Sequence, residues 1–176
     1  MKNNLRISAA AAVALSLGMA SSANAATTAT ADAQAEILSA LAVVIDVTND
    51  TLDFGSLADG GIVGSANVVL DPTGTISTCP ATVLCAGVTA APTFHVTGAA
   101  GNVVNITFPS ATTTLTESVS TDTMTVQSFT TGAPSNQITL SAAGTQDFTV
   151  GGTLVMTPGL STGTYTGTFD VAVAYN

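Results

Sequence analysis

The chain has 176 residues and only two basic side chains, Lys2 and Arg6, against eleven carboxylates, for a formal net charge of -9. Neutralising phosphates takes cations, so this balance excludes a nucleic-acid partner and also attachment to an anionic membrane through a basic patch. A phosphate-cradling glycine loop is excluded too, because its Lys is missing.

Both cations precede an apolar run over residues 7–20, and the small residues Ala23-Asn24-Ala25 follow it. That order is the pattern of a secretory signal peptide over residues 1–25, so an exported protein is expected, periplasmic in transit and then at the cell surface or outside the cell. Removing the signal leaves 176 − 25 = 151 residues, enough for one domain with its own core. No later apolar stretch reaches the roughly 18 to 20 residues that span a bilayer, so the mature chain is not expected to be membrane-spanning. Thirty-one Thr and seventeen Val stand among the mature residues. Branched Cβ atoms fit a pleated surface and lose rotamer freedom in a helix, so strands are favoured.

Residues 28–37 alternate without a break. Ala29, Ala31, Ala33, Ala35 and Ile37 fall on one face of an extended chain, with Thr28, Thr30, Asp32, Gln34 and Glu36 on the other. Alanine is also the strongest helix former, so residues 31–44 are open to a helix as well. Residues 42–47 read as a buried strand. Asn49-Asp50 reads as a polar turn, and Leu52-Asp53-Phe54-Gly55 as a segment that bends at its glycine.

Further strands are expected at 67–70, 93–97, 103–108, 112–116, 124–130, 137–141, 147–156 and 165–175. Turn signals separate them, among them Asp71-Pro72-Thr73-Gly74, Gly132-Ala133-Pro134, Gly151-Gly152 and Pro158-Gly159. Short strands at such spacing, without helical patterns between them, predict an all-β antiparallel sandwich.

Cys79 and Cys85 flank Pro80 and are expected to form a small-loop disulfide in an exported chain. A metal site is the alternative, and it would need more ligands than this spacing supplies. His95 is the only imidazole, and a catalytic reading would require a nucleophile and an orienting carboxylate beside it. Asp46, Asn49, Asp50 and Asp53 offer oxygen ligands for calcium, but their spacing does not match the helix-loop-helix calcium pattern, so they read as turn carboxylates. Asn49-Asp50-Thr51 and Asn105-Ile106-Thr107 match the glycosylation acceptor pattern. The expectation is a protein that is not an enzyme, with no catalytic residues, no metal and no cofactor.

The last strand is the most regular. Phe169, Val171, Val173 and Tyr175 project to one face, Tyr175 is penultimate, and Gly163 is fourteenth from the end (176 − 163 + 1). In these features the chain resembles bacterial pilus subunits assembled by the chaperone–usher route, and residues 28–37 resemble that family's N-terminal extension. Over its mature length, with Leu52-Asp53-Phe54-Gly55 early and Gly151-Gly152-Thr153-Leu154 before the last strand, it also resembles a family of secreted bacterial proteins known only as a domain of unknown function.

The pilus resemblance implies an immunoglobulin-like, pilin-like sandwich over residues 42–176 and a donor strand over 26–41. Ala29, Ala31, Ala33, Ala35 and Ile37 would then be the subunit contacts. The partners it implies are other copies of the chain, a periplasmic chaperone and an outer-membrane usher. The function would be that of a structural subunit of a fimbria-like filament in cell adhesion, joined by β-strand addition. The alternative is a self-contained secreted module that binds carbohydrate or calcium and does not polymerise.

Overall fold

The computed structural model describes residues 29–176. The signal-peptide reading over residues 1–25, and the first residues of the alternating segment, lie outside the described residues. The chain divides into two units, Met1–Glu36 and Ile37–Asn176. In the first, residues 29–36 are exposed and belong to neither helix nor strand, so Ala29, Ala31, Ala33 and Ala35 have no sheet partner. The helix alternative over 31–44 does not form.

The second unit holds thirteen strands: β1 (Ala42–Ile45), β2 (Ser56–Asp59), β3 (Ala66–Leu70), β4 (Ile76–Thr78), β5 (Val83–Ala86), β6 (Thr93–Thr97), β7 (Val103–Thr107), β8 (Thr112–Glu117), β9 (Thr123–Thr131), β10 (Gln137–Thr139), β11 (Thr145–Met156), β12 (Tyr165–Thr166) and β13 (Ala172–Tyr175). One 3-10 turn, Pro134–Asn136, precedes β10. The largest sheet runs β1-β6-β11-β9-β8-β12, with β3 paired to β11 and β4 to β3. A second sheet is β10-β7-β13, and β2 and β5 form a two-stranded ribbon. All of these pairings are antiparallel, as the sandwich expectation requires.

Strand β11 organises the whole. Its first half, Thr145 to Thr149, pairs with β6, and its second half, Gly152 to Met156, pairs with β3. The opposite edge takes β9, with a register shift between Gly151 and Thr153. A bulge at the glycine pair lets one strand bend and serve two neighbours in succession.

Two apolar clusters follow from that bend. Val68, Leu70, Val126, Leu154 and Met156 centre one, under the β2-β5 ribbon; Val96, Val104, Leu140, Phe148 and Val150 centre the other, between β6 and β7. Each such side chain contributes about 1.5–3 kcal/mol when fully buried. Phe129 packs against both clusters and stacks on Phe108 and Phe169, with ring centroids 5.2 and 4.8 Å apart.

Cys79 and Cys85 are joined by a disulfide, which closes the short loop from β4 into β5. Asp71 builds the β3-β4 turn: its carboxylate accepts from the Thr73 N–H at 2.9 Å, and the Gly74 N–H donates to the Asp71 carbonyl at 3.0 Å. Gly74 takes a φ of 82°, a conformation in which a side chain would be strained. Gly55 has a φ of 73°, as its place in a bend requires.

Two expectations need correction. Residues 42–47 are not a buried strand. Only Ala42–Ile45 pair, they lie at the sheet edge, and Val44 and Ile45 are 57% and 41% exposed. The apolar run signals burial, but burial on both faces needs a neighbour that β1 lacks on one side. Residues 165–175 do not form one strand either. The segment pairs first with β8 through β12, then crosses to β7 through β13.

Candidate functional site

The side chains of the last segment keep their alternation across that crossing. Phe169, Val171, Val173 and Tyr175 all pack against the second cluster, while Asp170 and Ala174 are exposed. The segment is paired at both ends and tied once between them. Tyr165 and Thr166 lie opposite Glu117 and Thr116, the Thr113 hydroxyl donates to the Thr168 carbonyl, and Ala172 to Tyr175 lie opposite Thr107 to Val104. The other edge has no strand partner among the described residues, and β1 likewise pairs only with β6.

Between these two open edges lies a groove of about 480 Å³. Val43 to Ile45 and Leu52 form one wall, Tyr165 to Val171 the other, and Phe94, Leu115 and Val126 the floor. An apolar floor bordered by unpaired strand edges is the arrangement that accepts an extended strand, and Asp50, Thr51, Thr113 and Asp170 add polar groups to the lining. Phe169 and Val171 line this groove and are only half-buried.

Gly163 makes room for Glu117: an added Cβ would lie 2.6 and 2.7 Å from its Cγ and Cδ and would force that side chain to move. Glu117 is only 5% exposed, and its carboxylate accepts from the N–H groups of Ser120 at 2.5 Å and Val119 at 2.8 Å. The glycine thus serves a buried carboxylate that caps the β8-β9 turn. Sequence spacing alone could not reveal that pairing.

His95 and Asp147 are brought together by the β6-β11 register, with the Nδ1 of the ring on the carboxylate. The orienting carboxylate is present, but the pair is exposed and no hydroxyl bonds to the imidazole among the described residues. Asp46, Asp50 and Asp53 turn their oxygens onto nearby backbone and hydroxyls, and the Asn49 amide donates to the Thr48 hydroxyl. Asp46 accepts from the Thr48 N–H at 2.9 Å and Asp53 from the Gly55 N–H at 2.8 Å. Among the described residues no three His, Cys, Asp or Glu side chains are placed to hold a metal ion. No helix among them is long and apolar enough to cross a membrane.

Four carboxylates anchor turns in this way and a fifth, Asp122, reaches across to Ser161, and hydrogen bonds hold each below its ordinary value of 3.8 for Asp or 4.5 for Glu. The main donors are the Thr48 N–H for Asp46, the Ile62 N–H for Asp59, the Thr73 hydroxyl for Asp71, the Ser120 N–H for Glu117 and Ser161 for Asp122. A depressed folded-state pKa means that the unfolded chain binds more protons in acid. The stability from these turns is therefore complete above the ordinary carboxylate range and lost as pH falls through and below it. Melting temperature is expected to be flat from pH 7 to about 5 and to fall below about pH 4. Melts followed by circular dichroism across that range check this, and a rising melting temperature on acidification would contradict it.

These elements define an all-β antiparallel sandwich with one disulfide-closed loop and a groove between the unpaired edges of β1 and the C-terminal segment. The chain belongs to DUF4402, a domain of unknown function, whose family model matches residues 45–175. No curated protein and no solved structure matches it.

Proposed function

We propose that the chain is an exported structural subunit of a pilin-like, fimbria-like surface filament, assembled by β-strand addition between copies. The groove between β1 and the C-terminal segment carries this reading, because it has two open backbone edges and an apolar floor. The occupant is the N-terminal extension of another copy, residues 26–41, with Ala29, Ala31, Ala33, Ala35 and Ile37 toward the floor. Their exposure and lack of strand partners support it, with Ile37 at 96%.

Magnitudes decide what must hold the joint. Burying four Ala methyls and one Ile yields about 5 kcal/mol, while ordering ten residues costs on the order of 10 kcal/mol. Apolar burial alone is insufficient. A strand inserted between two open edges makes ladders on both sides, at about 1 kcal/mol net per hydrogen bond, and this offsets the difference. A head-to-tail contact is heterologous, and one whose rotation does not close on itself propagates as a filament.

In transit the open groove needs cover, which a periplasmic chaperone and an outer-membrane usher would supply by the same strand pairing. Such a role uses no catalytic residue and no cofactor. Deleting residues 26–36 from the mature protein is expected to leave a folded monomer by size exclusion and circular dichroism, while the intact protein multimerises and forms filaments in negative stain. Multimers that survive the deletion would refute strand addition; an intact protein that stays monomeric would favour a self-contained binding module.

A further inference from the structure

Tyr175 makes contacts that strand pairing does not require. Its hydroxyl accepts from the Ala99 N–H at 2.6 Å and donates to the Ser39 carbonyl at 2.8 Å. Space for it is built in: a Cβ on Gly98 would collide with that hydroxyl and lie 2.9 Å from Leu41 and 3.0 Å from Leu140. A phenolic oxygen has one proton to donate, and here it is spent on Ser39. Ser39 lies three residues before β1, at the root of the extension.

The nearest competitor for the groove is the chain's own extension. Folding back as a hairpin on the open edge of β1, it would fill the groove in its own molecule at the high effective concentration of a tethered segment. That reversal has to occur within residues 37–41, because pairing of β1 begins at Ala42. The segment Ile37-Leu38-Ser39-Ala40-Leu41 holds no Gly, Pro, Asn or Asp for a two-residue turn, so the reversal takes a longer loop built on a type I turn, whose closing hydrogen bonds use backbone carbonyls of this segment. A carbonyl fastened to Tyr175 is not available to close such a turn.

We infer that Tyr175 is a latch: by holding the Ser39 carbonyl it keeps the extension from entering its own groove and reserves that groove for another copy. The inference rests on the strand-addition reading. In the intact mature protein, Tyr175→Phe removes only the hydroxyl. A second variant, Ser39→Asn with Ala40→Gly, keeps Tyr175 but supplies hairpin turn chemistry.

Glutamate-specific proteolysis reads the result, since the chain has two Glu, exposed Glu36 and buried Glu117. Dilute native monomer is expected to be cut after Glu36 rapidly. Tyr175→Phe is expected to be cut at least about fivefold more slowly, the scale of one net hydrogen bond, and to give fewer multimers by size exclusion, whereas the second variant, which retains the latch, is expected to match the native protein. Native rates of cutting and native multimers in a folded Tyr175→Phe protein would overturn the latch while leaving strand addition intact. A native protein that forms no multimers at any concentration would overturn both.

Discussion

Gly151→Ala is expected to cost about 3 kcal/mol, at the upper end of what overpacking a tight interior does. An added Cβ would be 2.7 Å from the Asp71 carbonyl carbon and 2.8 Å from the Pro72 nitrogen, and would also press on the Leu70 carbonyl oxygen. All three atoms are backbone, so no rotamer change makes room. The strain falls where β11 passes from β6 to β3, and relieving it pulls on both apolar clusters together. Gly132→Ala is the control, because its Cβ would meet only the Thr149 and Pro72 side chains at 3.6 and 3.7 Å, ordinary contact distances. Urea unfolding should show a lower midpoint for Gly151→Ala with unchanged slope, and little change for Gly132→Ala. Equal midpoints for the two would mean that the β11 bend is not a point of close backbone approach.

That bend shows how far the sequence reaches. Branched residues and turn signals place β6, β7 and most of β9 and β11 within a residue or two, because buried strands need apolar side chains at fixed spacing. Strands β2, β4 and β5 carry no such signal. They are short, their residues are mostly exposed, and Ser56-Leu57-Ala58-Asp59 reads like the loops on either side.

The alternation from Phe169 to Tyr175 is legible, yet it persists through a change of partner. Period two records which side faces the core and is silent about which strand lies alongside. The disulfide is legible in two cysteines six residues apart, whereas the meeting of Gly163 with Glu117, or of Tyr175 with Ser39, depends on how distant turns stack. The groove is least legible of all. It is a missing neighbour, and no residue encodes an absence.

If the groove accepts a strand, a synthetic peptide with the sequence of residues 26–41 should stabilise the chain that lacks residues 26–36. A ligand that binds only the folded state contributes about 2.7 kcal/mol at one hundred times its dissociation constant. For a domain of this size that is a rise of about 5–10 °C in melting temperature, growing with peptide concentration. A peptide with Ala31, Ala33 and Ala35 changed to Asp should give no rise, because the groove floor of Phe94, Leu115 and Val126 offers no partner for a charge. Backbone pairing is available to both peptides in equal measure, so the difference isolates the alternating face. A shift of the same size for both would mean that the peptide binds outside the groove, and no shift for either would leave the groove between β1 and residues 165–171 without this occupant.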